Sequence, residues 1–255
     1  MNKQLKVLFV GEAIYVSQTV LKGWNDFHLG SYVEHGGYFI QALKNAGIDV
    51  TYLPTLRVQE EFPWKIEELR KYDALAVSDV SSDSFNLSAQ CMEGIRVPNR
   101  LKLIQQYVEE GGGYVMWGGY MSFTGLNGKG FYRNTPIAKI LPVEMQVADD
   151  RQETPEGIVP FIKTPDHPIL QDMPKKWEGW FMSYNRLIAK EGAEVLGVFE
   201  EYDNDPWIVC GTYGKGRTVA SAVDCAHHGA APSFLKWEGS AKLFSNVMKW
   251  VAKDI

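Results

Sequence analysis

Residues able to do chemistry stand in a few short stretches: Gly11-Glu12, Asp79 within "SDVSSDS", "GGYMS" from Gly118 to Ser122, and "DCAHHG" from Asp224 to Gly229. Carboxylates such as Glu12 and Asp79 accept hydrogen bonds from hydroxyl or amino groups of a ligand; an ion pair or a helix cap would use them equally well. His228 beside Asp224 has the composition of a proton shuttle, because an imidazole titrates near neutral pH, although a histidine tying its loop to the sheet has the same signature. Cys225 adds a thiol that a histidine activates only if the two side chains converge. Asp224, Cys225 and one histidine are also plausible metal donors, but neighbours on an extended segment diverge, so neither a metal nor another cofactor is expected. Gly118 and Gly119 leave the backbone open to close approach. Ser122 lies outside a G-x-S-x-G register, so its hydroxyl is read as bonding a ligand or a turn. Tyr120, Tyr132 and Tyr184, with Phe123 and Trp237, would make an aromatic wall suited to sugars, and His35 faces the same edge.

These groups need elements to hold them, and most follow an apolar run. "LKVLFVG" is uninterrupted, the pattern of a parallel strand covered on both faces. A long aromatic-rich connection leads to a helix over "GGYFIQALKNAG", stopped at Gly47, and to a strand over "IDVTYLP". A helix from about Pro63 precedes the strand "DALAVSDV"; an Asn99-capped helix with Leu101, Ile104 and Val108 on one stripe precedes "YVMWGG". Alternation of this kind predicts an α/β fold, a doubly wound, mostly parallel sheet with helices on both faces. From about residue 122 to 180 the chain is rich in Gly, Pro and Asp and reads as an irregular insertion in a single domain spanning 1–255. Order resumes with "AEVLGVFEE", with two strands joined at Gly214-Lys215-Gly216, and with a terminal amphipathic helix. In an open sheet, ligands collect at the carboxyl ends of the strands, which is where Glu12, Asp79, Gly118–Ser122 and Asp224–His228 fall.

Composition narrows the partners. The 255 residues carry a net charge of −5 with 22% charged and 45% hydrophobic side chains, so clustered cations for nucleic acid or anionic membranes are not expected. Three cysteines without C-x-x-C spacing argue against a disulfide framework or a thiolate zinc site. The first apolar run is too short for a secretory signal, and no stretch reaches membrane-spanning length, so a cytoplasmic location is expected. A small-molecule ligand remains the expected partner, with a homodimer as the commonest symmetric assembly.

Taken in order, "SDVSSDSFNL", "RVPNRLKLIQQYVEEGGGYVMWGGYMSFTGLNGKGFYRNTPIAKILPVEM", "DDRQETPEG", "HPIL", "SYNRL" and "YGKGRTVASAVDCAHHGAAPSFLKWEG" resemble a glutamine amidotransferase-like family of the class I amidotransferase superfamily. The segment from Tyr213 is also similar to the trehalose-utilisation (ThuA-like) branch. The resemblance implies a flavodoxin-like sheet and a nucleophile elbow, G-x-C-x-G, after the strand "YVMW", with a histidine at His228. Here the elbow position falls on or beside Gly119, which has no attacking atom, so thioester glutaminase chemistry is not expected. A protein that binds a small metabolite and lacks the elbow thiol is expected instead. The alternatives are a hydrolase or isomerase on a carbohydrate-like metabolite using Asp224 and His228, and a regulatory subunit that docks a partner enzyme.

Overall fold

The computed structural model describes residues 4–255. Its strands are β1 (Lys6–Gly11), β2 (Ala13–Lys22), β3 (Asn25–Glu34), β4 (Asp49–Leu53), β5 (Ala74–Ser78), β6 (Gly113–Trp117) and β7 (Val143–Met145). Later in the chain come β8 (Arg151–Ile158), β9 (Phe161–Ile162), β10 (Phe181–Asn185), β11 (Leu187–Ala189), β12 (Glu194–Phe199), β13 (Asp205–Tyr213) and β14 (Gly216–Ser221). Eight of them form one sheet in the order β4-β1-β5-β6-β14-β13-β12-β9.

The strands β4, β1, β5, β6 and β14 run parallel, with Val7 opposite both Val50 and Ala74, and Val115 opposite both Ala76 and Val219. Counted along the chain within the sheet, this is the flavodoxin-like order, with the first strand inside and the second at the edge. β13, β12 and β9 extend it antiparallel. Every residue of β5 and β6 is buried, which is why these strands read as unbroken apolar runs.

Helices cover both faces, as the alternation of elements requires. On one, the helix Gly37–Asn45 packs on the C-terminal helix Glu238–Val251, where Phe39, Trp117 and Phe244 meet at ring separations of 5.2–5.6 Å. On the other lies Arg100–Glu110, whose first turn is capped by Asn99 Oδ1 accepting from Lys102 N–H at 3.0 Å. The helix expected from Pro63 shortens to Ile66–Leu69.

Two regions are more ordered than their sequence suggests. The expected connection after β1 is a ribbon: β2 and β3 pair along ten residues each, from Ala13 opposite Glu34 to Lys22 opposite Asn25. Inside the stretch 122–180, β8 pairs with β10, β7 pairs with β11, and β9 closes the edge of the main sheet. Among the described residues no helix is long and apolar enough to cross a membrane.

Candidate functional site

Three strand ends turn sharply and meet. β1 ends in Glu12 (φ 50°), β5 in Asp79 (φ 49°) and β6 in Gly118-Gly119, with Gly119 at φ 126°. Left-handed backbone at non-glycine residues costs free energy, so Glu12 and Asp79 are held in these turns by the structure around them. Gly118 is pressed against the continuation of β14: its N–H donates to Val223 O at 2.9 Å, and a Cβ there would stand 2.4 Å from Ala222 O. At Gly119 a Cβ would meet Asp79 Oδ1 at 2.7 Å and Asp79 Cβ at 2.9 Å. Where the resemblance implies a nucleophile, a side chain on Gly119 would collide with Asp79 as it stands.

Side chains from distant segments hold this arrangement. Asn185, at the end of β10, accepts Gly119 N–H at 2.9 Å and donates to Gly119 O at 3.2 Å and to buried Asp150 at 2.8 Å. Asp150 in turn accepts the N–H groups of Thr124 and Gly125, both at 2.9 Å. Ser122, fully buried, accepts Asp79 N–H and donates to Gly118 O, both at 3.1 Å, so its hydroxyl works on the turn. Met121 N–H donates to Asp79 Oδ1 at 2.7 Å.

The fourth contribution comes from the segment after β14. Asp224 is buried, and its two oxygens accept Gly229 N–H and Ala230 N–H, each at 2.9 Å, which folds the loop back and presents His227 and His228 outward. His227 stacks on His35 at 6.2 Å, and His228 sits against Tyr120 edge-on at 4.3 Å. Glu12, Asp79 and Asp224 feel one another's charge, and Asp79 feels His228 and His35, so these strand-end groups form one electrostatic cluster.

Burial dominates the titration of that cluster. It raises the Glu12 carboxyl well above the usual carboxylate range, with Asp224 and Asp79 adding to the effect and the Ser78 hydroxyl bond opposing it. Burial raises Asp79 too, against the Met121 N–H and the two histidines. Asp224 is pushed up to about 7 by burial, opposed by its backbone donors. His35 is lowered, first by burial and then by His227. Burial thus favours the neutral form of these carboxyl groups, in which a carboxyl can donate as well as accept a hydrogen bond.

Other residues read as site candidates lie elsewhere or do other work. Tyr132 is a correction to the expected aromatic wall: it is fully buried, with its hydroxyl donating to Val80 O at 2.6 Å. Phe123 is likewise in the core, and Trp237 packs on Trp177 at 5.0 Å. Tyr184 is buried and donates to Asp205 at 2.8 Å; it helps line a cleft of about 10 Å³ behind Gly119, Asn185 and Asp224, the room of roughly one water. Tyr120 alone of that wall stands at the edge, its hydroxyl donating to Glu153 at 2.8 Å.

Cys225 is buried, and burial followed by the Glu12 carboxyl pushes its thiol well up, the reverse of nucleophile activation. Cys210 is buried in β13 and also raised by burial. Cys91 sits half-buried on the short helix Ala89–Met92, its N–H donating to the Ser88 hydroxyl at 3.2 Å. Among the described residues no group of three His, Cys, Asp or Glu is arranged to hold a metal ion. Asn185 and Asp150 escape a reading of the sequence, because nothing local in "SYNRL" or "DDRQ" reports bonds to glycines 66 and 25 residues away.

Comparison with known proteins gives the family and the fold. The family model described as "Putative glutamine amidotransferase" matches residues 6–253. Among solved structures, the cytoplasmic protein STM1381 from Salmonella typhimurium LT2 is similar at 39% identity and a TM-score of 0.91, over 97% of this chain and 99% of that one. The cytoplasmic protein STM3548 from Salmonella typhimurium is similar at 35% identity, with the same TM-score and coverage. A ThuA-like protein from Bacteroides uniformis shares the fold, with a TM-score of 0.59 at 13% identity over 97% of this chain and 91% of that one. No relative matches among the curated proteins. The sheet order is the flavodoxin-like one of the class I amidotransferase fold, and the chain belongs to the glutamine amidotransferase-like family whose model it matches over nearly its whole length.

Proposed function

We propose that the protein binds a small polar metabolite at the carboxyl edge of its sheet and works without a glutaminase thiol. One observation carries the reading: the Asp79 carboxylate occupies the space that a side chain on Gly119 would need. A class I glutaminase attacks from a sulfur at that bend. Here Asp79, Glu12, His35 and His228 offer donors and acceptors for hydroxyl or amino groups, and Tyr120 offers an aromatic face. Asp224, Ser122 and Asn185 serve as positioning residues, since their polar atoms are engaged with backbone.

The raised carboxyls favour a second reading at the same edge, hydrolysis or isomerisation of a carbohydrate-like metabolite. In that case His228 moves the proton and Asp224 holds its loop.

Glutamate release from glutamine tests the first reading, measured on the protein and on its Cys91→Ala, Cys210→Ala and Cys225→Ala variants. Turnover at background is expected; cysteine-dependent turnover overturns the proposal. A thermal-shift panel of sugars, sugar acids and amino acids then locates the site. Stabilisation by a hit should vanish in Asp79→Asn and His228→Ala, and a hit indifferent to both removes the ligand from this edge.

A further inference from the structure

One buried hydroxyl beside the elbow has nothing to bond. Ser183 stands on β10 two residues before Asn185, so the two side chains share a face of the strand. Asn185 uses that face to hold both the N–H and the carbonyl of Gly119. Ser183 is only 7% exposed, yet among the described residues no group bonds its hydroxyl. Nor is that oxygen sealed in the core, as the Tyr114 hydroxyl and Trp117 Nε1 are. Ser183 lines the cleft of about 10 Å³ behind Gly119, together with Asn185, Asp224, Tyr120 and Arg151. It meets Asp224 across Gly229, where a Cβ would stand 3.1 Å from both Ser183 O and Asp224 Oδ2. Half-buried Tyr120 and exposed Arg151 form the mouth.

We infer that this cleft is the subsite for one hydroxyl group of the ligand and that Ser183 selects it, an inference that rests on the polar-metabolite reading above. The room suits a single non-hydrogen atom, which excludes a carboxylate or a phosphate. A methyl group there would displace water from the Ser183 hydroxyl and leave a buried donor unsatisfied. An ammonium would meet Arg151, which lines the same cleft. A hydroxyl both accepts and donates, so it takes the Ser183 proton and gives its own to Asp224. Each Asp224 oxygen accepts one backbone N–H and keeps a second lone pair. Water suits the same partners in the free protein, and a ligand hydroxyl that reproduces the water's bonds displaces it at little cost. The class selected is a polyhydroxylated metabolite, a sugar or polyol with one hydroxyl reaching past Tyr120 into the cleft.

Two experiments test this. A high-resolution crystal structure of the free protein should show one ordered water on Ser183 Oγ, and a dry cleft overturns the inference. Titration calorimetry with D-glucose, D-galactose, D-mannitol and their monodeoxy analogues then separates a ligand hydroxyl from water alone. At least one parent compound should bind, and one of its deoxy analogues should bind about 10-fold more weakly. Ser183→Ala should weaken the parent by about 3–10-fold and shrink the deoxy penalty, because the two changes remove the same bond. Ser183→Thr keeps the hydroxyl and fills the cleft with a methyl, so it should abolish binding. The deoxy series on the unaltered chain stands even where a variant misfolds. Failure of every parent to bind, deoxy analogues all equal to their parents, or losses that simply add each overturn the inference. The reading it rests on survives those results if another polar compound still stabilises the protein through Asp79 and His228.

Discussion

A methyl group on Gly119 measures how firmly the elbow excludes a side chain. Two costs arise in Gly119→Ala. Gly119 has φ 126°, and holding an L-residue in so sparsely populated a conformation costs about 1–3 kcal/mol. The new carbon would also meet Asp79 Oδ1, Cβ and Cγ at 2.7, 2.9 and 3.0 Å. Displacing that carboxylate loosens its bond from Met121 N–H and adds about 1–3 kcal/mol of overpacking. The single variant should therefore lose about 2–6 kcal/mol. Asp79→Gly supplies the control. It deletes one hydrogen-bond acceptor, worth about 1–2 kcal/mol, and partly offsets that loss because glycine adopts Asp79's φ of 49° without strain. In the double variant the steric cost disappears and the backbone cost stays, so the cycle should show a favourable coupling of about 1–3 kcal/mol. Urea unfolding of the four proteins, with m-values compared to confirm the same transition, gives every corner of the cycle. Stability of Gly119→Ala within about 0.5 kcal/mol of wild type, or a cycle that closes additively, would falsify the claim that Asp79 fills the nucleophile's place.

Other consequences can be measured on the same footing. Asn185→Leu strands Gly119 N–H and takes one of two donors from Gly119 O and from Asp150 Oδ1, which keep Ser122 N–H and Gly125 N–H, so a loss of about 1–3 kcal/mol is expected by thermal unfolding, and a neutral effect contradicts the clamp. Arg100 is fully buried and donates to the carbonyls of Val58, Gln59, Ser84 and Phe85, with its guanidinium over Trp64 at 4.1 Å. Arg100→Met removes the side-chain donor from all four carbonyls, of which Val58 O keeps Phe62 N–H at 3.2 Å, and should cost at least about 3 kcal/mol, a Tm drop of roughly 6–12 °C; an unchanged Tm would mean that water replaces the cation. Asp224 titrates near 7 in the fold, above its unfolded value of about 3.9, so the native state binds the extra proton between these limits. Its contribution is greatest below about pH 4 and is lost as pH rises toward 7, by up to about 4 kcal/mol. Asp224→Asn should flatten this part of the stability–pH curve, and an unaltered slope in urea titrations from pH 4 to 8 assigns the dependence elsewhere.

Much of the sheet is legible in the sequence because burial on both faces writes itself into the chain. β1, β5 and β6 are continuous apolar runs, Asn99 announces a helix start, and the terminal helix keeps its stripe through Leu243, Val247 and Val251. The strand ends, and with them Glu12, Asp79, Gly119 and Asp224, fall where those runs stop. The ribbon is not legible in the same way, although Ile14, Val16 and Val20 alternate and Gly23-Trp24 form a two-residue turn. Its aromatics, lacking a core to face, look like loop residues. Pairings such as β8 with β10 close over long separations and leave no local periodicity beyond the strands themselves. Aromatic side chains are equally ambiguous: Tyr120 and Tyr132 sit twelve positions apart in similar surroundings, and only packing assigns one to the edge and the other to the core.

The ribbon is hinged between two groups of the strand-end cluster. It departs after Glu12 and comes back before His35, and His35 N–H closes the hinge on Glu12 O at 2.7 Å. A lever mounted this way cannot be restrained at its far end without narrowing the motions open to that carboxyl and imidazole. A ligand held by that pair, as proposed above, would therefore sit at the ribbon's root, and ordering the root should be read out along the ribbon as slower amide exchange.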